Sequence, residues 1–364
     1  MHGGDIYSAA RELGVDPAEI LDFSASINPL GTSPDVWKAI TDARHLLGHY
    51  PDPACLDLRQ ALAERWRIDP DQIVVGNGST ELIDAIPRAL RIHRLLLIQP
   101  TFSEYAAAME RAGGCVTAVY AERQEQYAVP IDRLCRLIET RRSEGGLFDG
   151  LVLCHPNSPT GQACSADDVA RLANLAHRHG LWLVVDEAFA DYCLELSVLP
   201  QAASWPHVVV LRSMTKFYAL PGLRVGYAVA RPAVARRLQR QLPSWSINVM
   251  GQVAALAALN DTAHARKSVQ FMVKERQRFA AALMALPGCA VAPACANYLF
   301  VELPRGWHAR HVTERLRHDG ILIRDCSSVP GSHARAIRLA VRTQQENDRL
   351  IQALSKVFQE THDA

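Results

Sequence analysis

From about residue 70 to about residue 230, short unbroken apolar runs alternate with stretches in which apolar positions recur every three or four residues. The runs lie at 73–75, 95–98, 151–154, 181–185, 208–211 and 225–229, and helical spacing appears at 79–90, 102–112 and 166–179. Runs rich in Val, Ile and Leu without polar alternation predict strands covered on both faces. The helices between them are the crossovers that parallel strands need. The pattern predicts an α/β fold on a mostly parallel sheet, with ligands at the carboxyl ends of the strands.

The texture changes after about residue 255. A long helical pattern runs through 271–286, apolar runs follow at 298–301, 321–323 and 337–341, and helices are expected near 311–318 and at the C-terminus. This predicts a second, smaller α/β domain at 256–364, joined by an N-terminal segment, 1–49, with the large domain at 50–255. A chain of 364 residues is long enough for two such domains.

Composition narrows the function. The formal net charge is +1 and no block of like charge occurs, which speaks against a nucleic-acid or anionic-membrane partner. No apolar run approaches a membrane span, and the opening Met1-His2-Gly3-Gly4-Asp5 lacks the basic-then-apolar order of a signal peptide. The nine cysteines contain no C-x-x-C pair, so neither structural zinc nor a disulfide framework is expected. Cys154, inside an apolar run, reads as a small buried hydrophobe. A reduced, cytoplasmic protein without a metal centre is the expectation.

Lys216 carries the candidate chemistry. It is the only lysine between Lys38 and Lys267, and it sits in Ser213-Met214-Thr215-Lys216-Phe217-Tyr218, with Gly222 and Arg224 just beyond. Lysine forms Schiff bases and arginine does not, because its guanidinium stays protonated. Asp186 ends the run Val184-Val185-Asp186, where a carboxylate can hold a cofactor nitrogen. Gly76-Asn77-Gly78-Ser79-Thr80-Glu81 follows a strand and opens a helix, so its backbone N–H groups can close on a phosphate. Arg324 and Arg338 follow apolar runs in the small domain, where a charge needs a partner. A pair of clamping arginines suggests a substrate with more than one anionic group.

These segments resemble the aspartate-aminotransferase-like fold of pyridoxal 5'-phosphate (PLP) enzymes, fold type I. The resemblance rests on the lysine segment, on Asp186-Glu187-Ala188-Phe189 and on His155-Pro156-Asn157-Ser158-Pro159-Thr160-Gly161. It implies PLP held by Lys216 and Asp186, with Phe102 stacked on the ring and Asn157 at the ring oxygen. Gly78, Ser79, Thr80, Ser213, Thr215 and Arg224 would form the phosphate cradle. Tyr50, in His49-Tyr50-Pro51, matches the tyrosine that reaches the phosphate of a neighbouring subunit, which implies a homodimer with shared sites. Two positions depart from the pattern. Phe189 stands where a tyrosine is frequent and cannot bond the ring oxygen, so Asn157 is expected to do more of that work and the internal-aldimine pKa to differ. His155 stands where asparagine is common, a position expected to be tolerant.

The N-terminus narrows the resemblance. His2-Gly3-Gly4-Asp5-Ile6, the stretch from Leu21 to Gly31 and the closing Arg338-Leu339-Ala340-Val341-Arg342-Thr343 resemble the threonine-phosphate decarboxylase family of cobalamin biosynthesis. That implies His2, Gly3 and Asn28 in a segment folded over O-phosphothreonine, with Asn157, Arg324 and Arg338 on its carboxylate and phosphate. Carbon dioxide would leave and Lys216 would return a proton to Cα. Histidinol-phosphate aminotransferase shares the pattern and is the alternative. A PLP-sensing regulator is a distant one, since no basic recognition helix precedes the large domain.

Overall fold

A computed structural model describes residues 3–143 and 147–359. Its strands are β1 (Leu21–Asp22), β2 (Ile73–Asn77), β3 (Arg94–Gln99), β4 (Cys115–Tyr120), β5 (Gly150–Cys154), β6 (Trp182–Asp186), β7 (Val208–Ser213), β8 (Val225–Ala230), β9 (Ala290–Val291), β10 (Tyr298–Glu302), β11 (Ile321–Leu322), β12 (Arg324–Asp325) and β13 (Ala336–Ala340). Seven form one sheet in the order β2-β8-β7-β6-β5-β3-β4. Only β8 runs antiparallel to its neighbours, so its amino end lies at the edge where the other six strands finish.

Alternate residues of the central strands enter two separate apolar clusters. Leu151, Leu153, Leu183, Val185 and Val210 pack on one face of the sheet, and Val152, Cys154, Val184, Val209 and Leu211 on the other. Both faces are covered, which is why these strands read as unbroken apolar runs. Edge strand β4 escaped the sequence reading for the converse reason. Of its residues only Val119 is buried, and Thr117 interrupts its apolar residues.

Chain punctuation sets the helices. The helix Ala166–His179 starts under a Ser165 cap and ends at left-handed Gly180, at φ 66°. The helix expected at 102–112 occupies Glu104–Arg111, leaving Thr101 and Phe102 in the loop after β3.

The C-terminal region holds a four-stranded antiparallel sheet, β12-β13-β10-β9. N-terminal β1 pairs in parallel with β11, which ties residues before 50 to this part of the chain. Of the run at 321–323, expected as one strand, Ile321 and Leu322 form β11 and Ile323 lies outside it; Arg324 and Asp325 then form β12 in a different sheet. Arg324 and Arg338 do not follow strands as expected but lie within them. β12 pairs with β13 so that the two arginines are direct partners. No described helix is long and apolar enough to cross a membrane.

Candidate active site

The carboxyl edge of the large sheet gathers the expected residues. Asp186 ends β6, Lys216 follows β7 and Asn157 follows β5. Phe102 follows β3, Gly78 to Thr80 open the helix after β2, and Arg224 immediately precedes antiparallel β8.

Lys216 is buried. Its amine is pushed down to about 8, first by burial, then by the positive charges of Arg338 and Arg224, with Asp186 opposing. A larger neutral fraction makes this lysine a nucleophile near neutral pH. Its backbone carbonyl accepts from the Asn28 N–H at 3.0 Å. Asn28 Nδ2 donates to Phe217 O and Ser268 Oγ, both at 2.8 Å, and Asn28 Oδ1 accepts from Leu30 N–H. The buried Asn28 amide, expected as a substrate contact, fastens the N-terminal segment to the lysine turn.

Asp186 is buried, which pushes its carboxyl up; two donors oppose this. The Ala188 N–H meets Oδ1 at 3.0 Å and the Tyr105 hydroxyl meets Oδ2 at 2.6 Å. Tyr105 went unnoticed in the sequence because a tyrosine at helical spacing reads as core. Half-buried Phe102 meets its ring edge-on, with centroids 5.7 Å apart.

The phosphate cradle is built by close approach. A Cβ on Gly78, at φ +74°, would lie 2.6 Å from Arg224 Nη2, and one on Gly226 would lie 2.4 Å from Ser79 N. Only glycine lets the helix start, the arginine and β8 converge. Asn77 provides no side-chain cap, so the first-turn N–H groups of Ser79 and Thr80 keep their donors for an anion. Ser213 Oγ and Thr215 Oγ1 lie buried 2.7 Å apart. Arg224 has no carboxylate partner among the described residues and makes one long contact, 3.4 Å to Pro221 O.

The arginine pair completes the charge pattern. Arg338 Nη1 donates to Ser158 Oγ at 2.8 Å and Nη2 to Ser24 O at 2.7 Å, while its buried Nε has no partner. Its guanidinium lies 5.3 Å from the Tyr298 ring centroid. The Arg324 side chain has no hydrogen bond or ion pair among the described residues, and burial with the charge of Arg338 lowers its pKa. Its neighbour Asp325 is engaged with Ser327 N–H. Like charges placed opposite each other in a ladder are unfavourable. An anion between them removes the conflict.

Asn157 Oδ1 accepts from Thr101 Oγ1, and its Nδ2 donates to Pro100 O and Thr160 Oγ1. A ligand that accepts from this amide must replace one of the two Nδ2 bonds. Gly3 packs on the loop that binds Arg338: a Cβ there would lie 2.2 Å from Ser24 O. In the same loop, buried Ser26 Oγ has no partner, an orphan hydroxyl the sequence did not mark. His2 lies outside the described residues. Tyr50 stands 80% exposed, its ring centroid 4.9 Å from that of Trp245. One chain alone leaves it on the surface.

The two departures have structural answers. Phe189 packs edge-on against Tyr298 at 4.8 Å, and the Tyr298 hydroxyl donates to Asn157 O at 2.7 Å. His155, expected to be tolerant, is completely buried: Nδ1 accepts from Cys164 N–H at 3.3 Å, and Nε2 lies 3.1 Å from Leu196 O. Behind Asp186, Arg212 forms buried ion pairs with Glu187 and Asp191, each at 2.9 Å. This scaffold was also missed by the sequence reading.

PLP fits this donor set. The glycine-bounded cradle and unpaired Arg224 suit a phosphate, the buried carboxylate suits a ring nitrogen, and the depressed amine of Lys216 suits an aldehyde. Residues 18–354 match the family described as aminotransferase class I and II. The chain is 36% identical over 359 residues to a threonine-phosphate decarboxylase of Salmonella typhimurium, covering 98% of this chain and 96% of that enzyme. It is also 35% identical over 356 residues to a histidinol-phosphate aminotransferase of Roseiflexus castenholzii, with 96% and 92% covered. The solved L-threonine-O-3-phosphate decarboxylase of Porphyromonas gingivalis matches with a TM-score of 0.81 at 25% identity, over 93% of this chain and 100% of that one. Fold, cofactor and family agree: the chain belongs to the class I and II aminotransferase family of PLP-dependent enzymes.

Proposed function

We propose that the chain decarboxylates O-phospho-L-threonine to (R)-1-aminopropan-2-ol phosphate and carbon dioxide, in cobalamin biosynthesis. The opposed pair Arg324 and Arg338 carries this reading, because neither has a carboxylate partner among the described residues and the two are ladder partners. Phosphothreonine brings a carboxylate and a phosphate, which together answer two guanidinium groups.

PLP supplies the electron sink that lets a bond at Cα break. The chain's residues do the rest. Asp186 would hold the cofactor nitrogen, Arg224 and the Gly78 turn would hold the phosphate, and the Lys216 amine would bind the aldehyde. Arg338 and Arg324 would fix the substrate's anionic ends and so orient its Cα bonds for cleavage. Lys216, with its lowered pKa, then returns a proton to Cα. Gly3 and the loop around Ser24 close over the arginines. Exposed Tyr50 would complete the cradle of a second copy, making the working unit a homodimer.

The similarity to a histidinol-phosphate aminotransferase supports a second reading with the same cofactor site: transfer of the amino group to 2-oxoglutarate. PLP-loaded protein given O-phospho-L-threonine, beside a tube with L-histidinol phosphate and 2-oxoglutarate, separates them. Carbon dioxide without glutamate is the expected result. Glutamate without carbon dioxide overturns the decarboxylase reading.

A further inference from the structure

Tyr105 lies in a pocket lined by Ile83, Ile86, Leu95, Met109, Val152 and Val184, and its ring is 2% exposed. Phenylalanine would fill such apolar surroundings without the penalty of burying a hydroxyl. The hydroxyl therefore needs another explanation. It has one in the 2.6 Å bond to Asp186 Oδ2, the shortest contact that carboxylate makes. Other groups near Asp186 are Glu187, which disfavours its charge, and Lys216, which favours it. Cys154 also lies within reach of the phenol. Tyr105 and the Ala188 N–H are thus the two neutral donors that keep a buried carboxylate ionised, one on each oxygen.

We propose that Tyr105 is a positioning residue for the cofactor acid: its hydroxyl orients Asp186 and keeps the shared proton on the pyridine nitrogen of PLP. Without that donor the carboxylate becomes more basic and draws the proton to itself. The ring then loses strength as an electron sink while the substrate clamp is untouched. The inference rests on the PLP assignment.

The test uses holoenzyme loaded with PLP carrying 15N at the pyridine nitrogen. Wild type should show the chemical shift of a protonated ring nitrogen, and Tyr105→Phe should move it toward the unprotonated position. One pKa unit taken from the pair corresponds to a fall in kcat of about tenfold, with KM for substrate within about twofold. Placing 4-aminophenylalanine at position 105 keeps the shape with a weaker donor and should give an intermediate shift. That variant alone decides the matter if Tyr105→Phe does not fold. An unmoved nitrogen in a variant that still holds the cofactor overturns the proposal. Wild-type protein with no PLP absorbance would instead overturn the cofactor assignment.

Discussion

Replacing Arg324 by methionine separates what this residue does for the substrate from what it does to the protein. Arg324 and Arg338 are direct partners across β12 and β13, and their side chains share one face of that ladder. Arg338 is tied to Ser158 and Ser24, whereas the Arg324 guanidinium has no such tie among the described residues. Removing Arg324 therefore deletes a repulsion and no folded-state hydrogen bond. Like charges opposite each other in a sheet cost up to about 1 kcal/mol, and the side chain is only partly buried, so the gain is about 0.5 kcal/mol. For a chain of this size that raises Tm by about 0.7 °C. The same change deletes a charge-assisted bond to the substrate worth about 1.5–3 kcal/mol. The expected loss in kcat/KM is about 10- to 150-fold. Thermal melting without substrate and steady-state assays of one preparation read both numbers. A lower Tm with kcat/KM unchanged would refute the reasoning, since Arg324 would then be a structural residue with a partner in the free protein. Higher stability with lower activity is the signature of a site built for its ligand.

Lys216→Ala should abolish both turnover and the visible absorbance of lysine-bound cofactor; turnover above about 1% of wild type would remove Lys216 from its role. Because its amine is pushed down to about 8, capture of added PLP by apoenzyme should slow about tenfold per pH unit below that value. A flat rate between pH 6 and 8, followed by stopped-flow absorbance, would contradict the burial and repulsion argument. Burial holds His155 below its ordinary value of 6.5, so the unfolded chain takes up a proton that the folded chain refuses. Stability should therefore fall as pH drops below about 6.5, and His155→Asn should flatten that part of the Tm profile.

What the sequence made legible was what one dimension can carry. Sheet strands buried on both faces announce themselves as apolar runs, and residues at their ends inherit a place at the carboxyl edge without any knowledge of packing. Lys216, Asp186, Asn157, Gly78 and Arg224 were placed by that logic together with the family resemblance. Residues whose meaning depends on a partner far along the chain were not legible. Tyr105 looks like core until its hydroxyl meets Asp186, which is 81 residues away. His155 looks replaceable until its two nitrogens meet Cys164 and Leu196. The bonds by which the Asn28 amide holds the lysine turn reach Phe217 and Ser268, far along the chain.

Arg324 and Arg338 show the same limit from the other side. Both were noticed as charges near apolar runs, but their conflict depends on the register of β12 against β13, and a break at residue 323 creates that register. A one-residue slip would turn Arg324 to the opposite face and dissolve the pair. The charge pattern that supports a dianionic substrate is therefore a property of strand pairing. Substitutions that shift β12 while leaving every arginine in place should weaken substrate binding as much as removing Arg324 does.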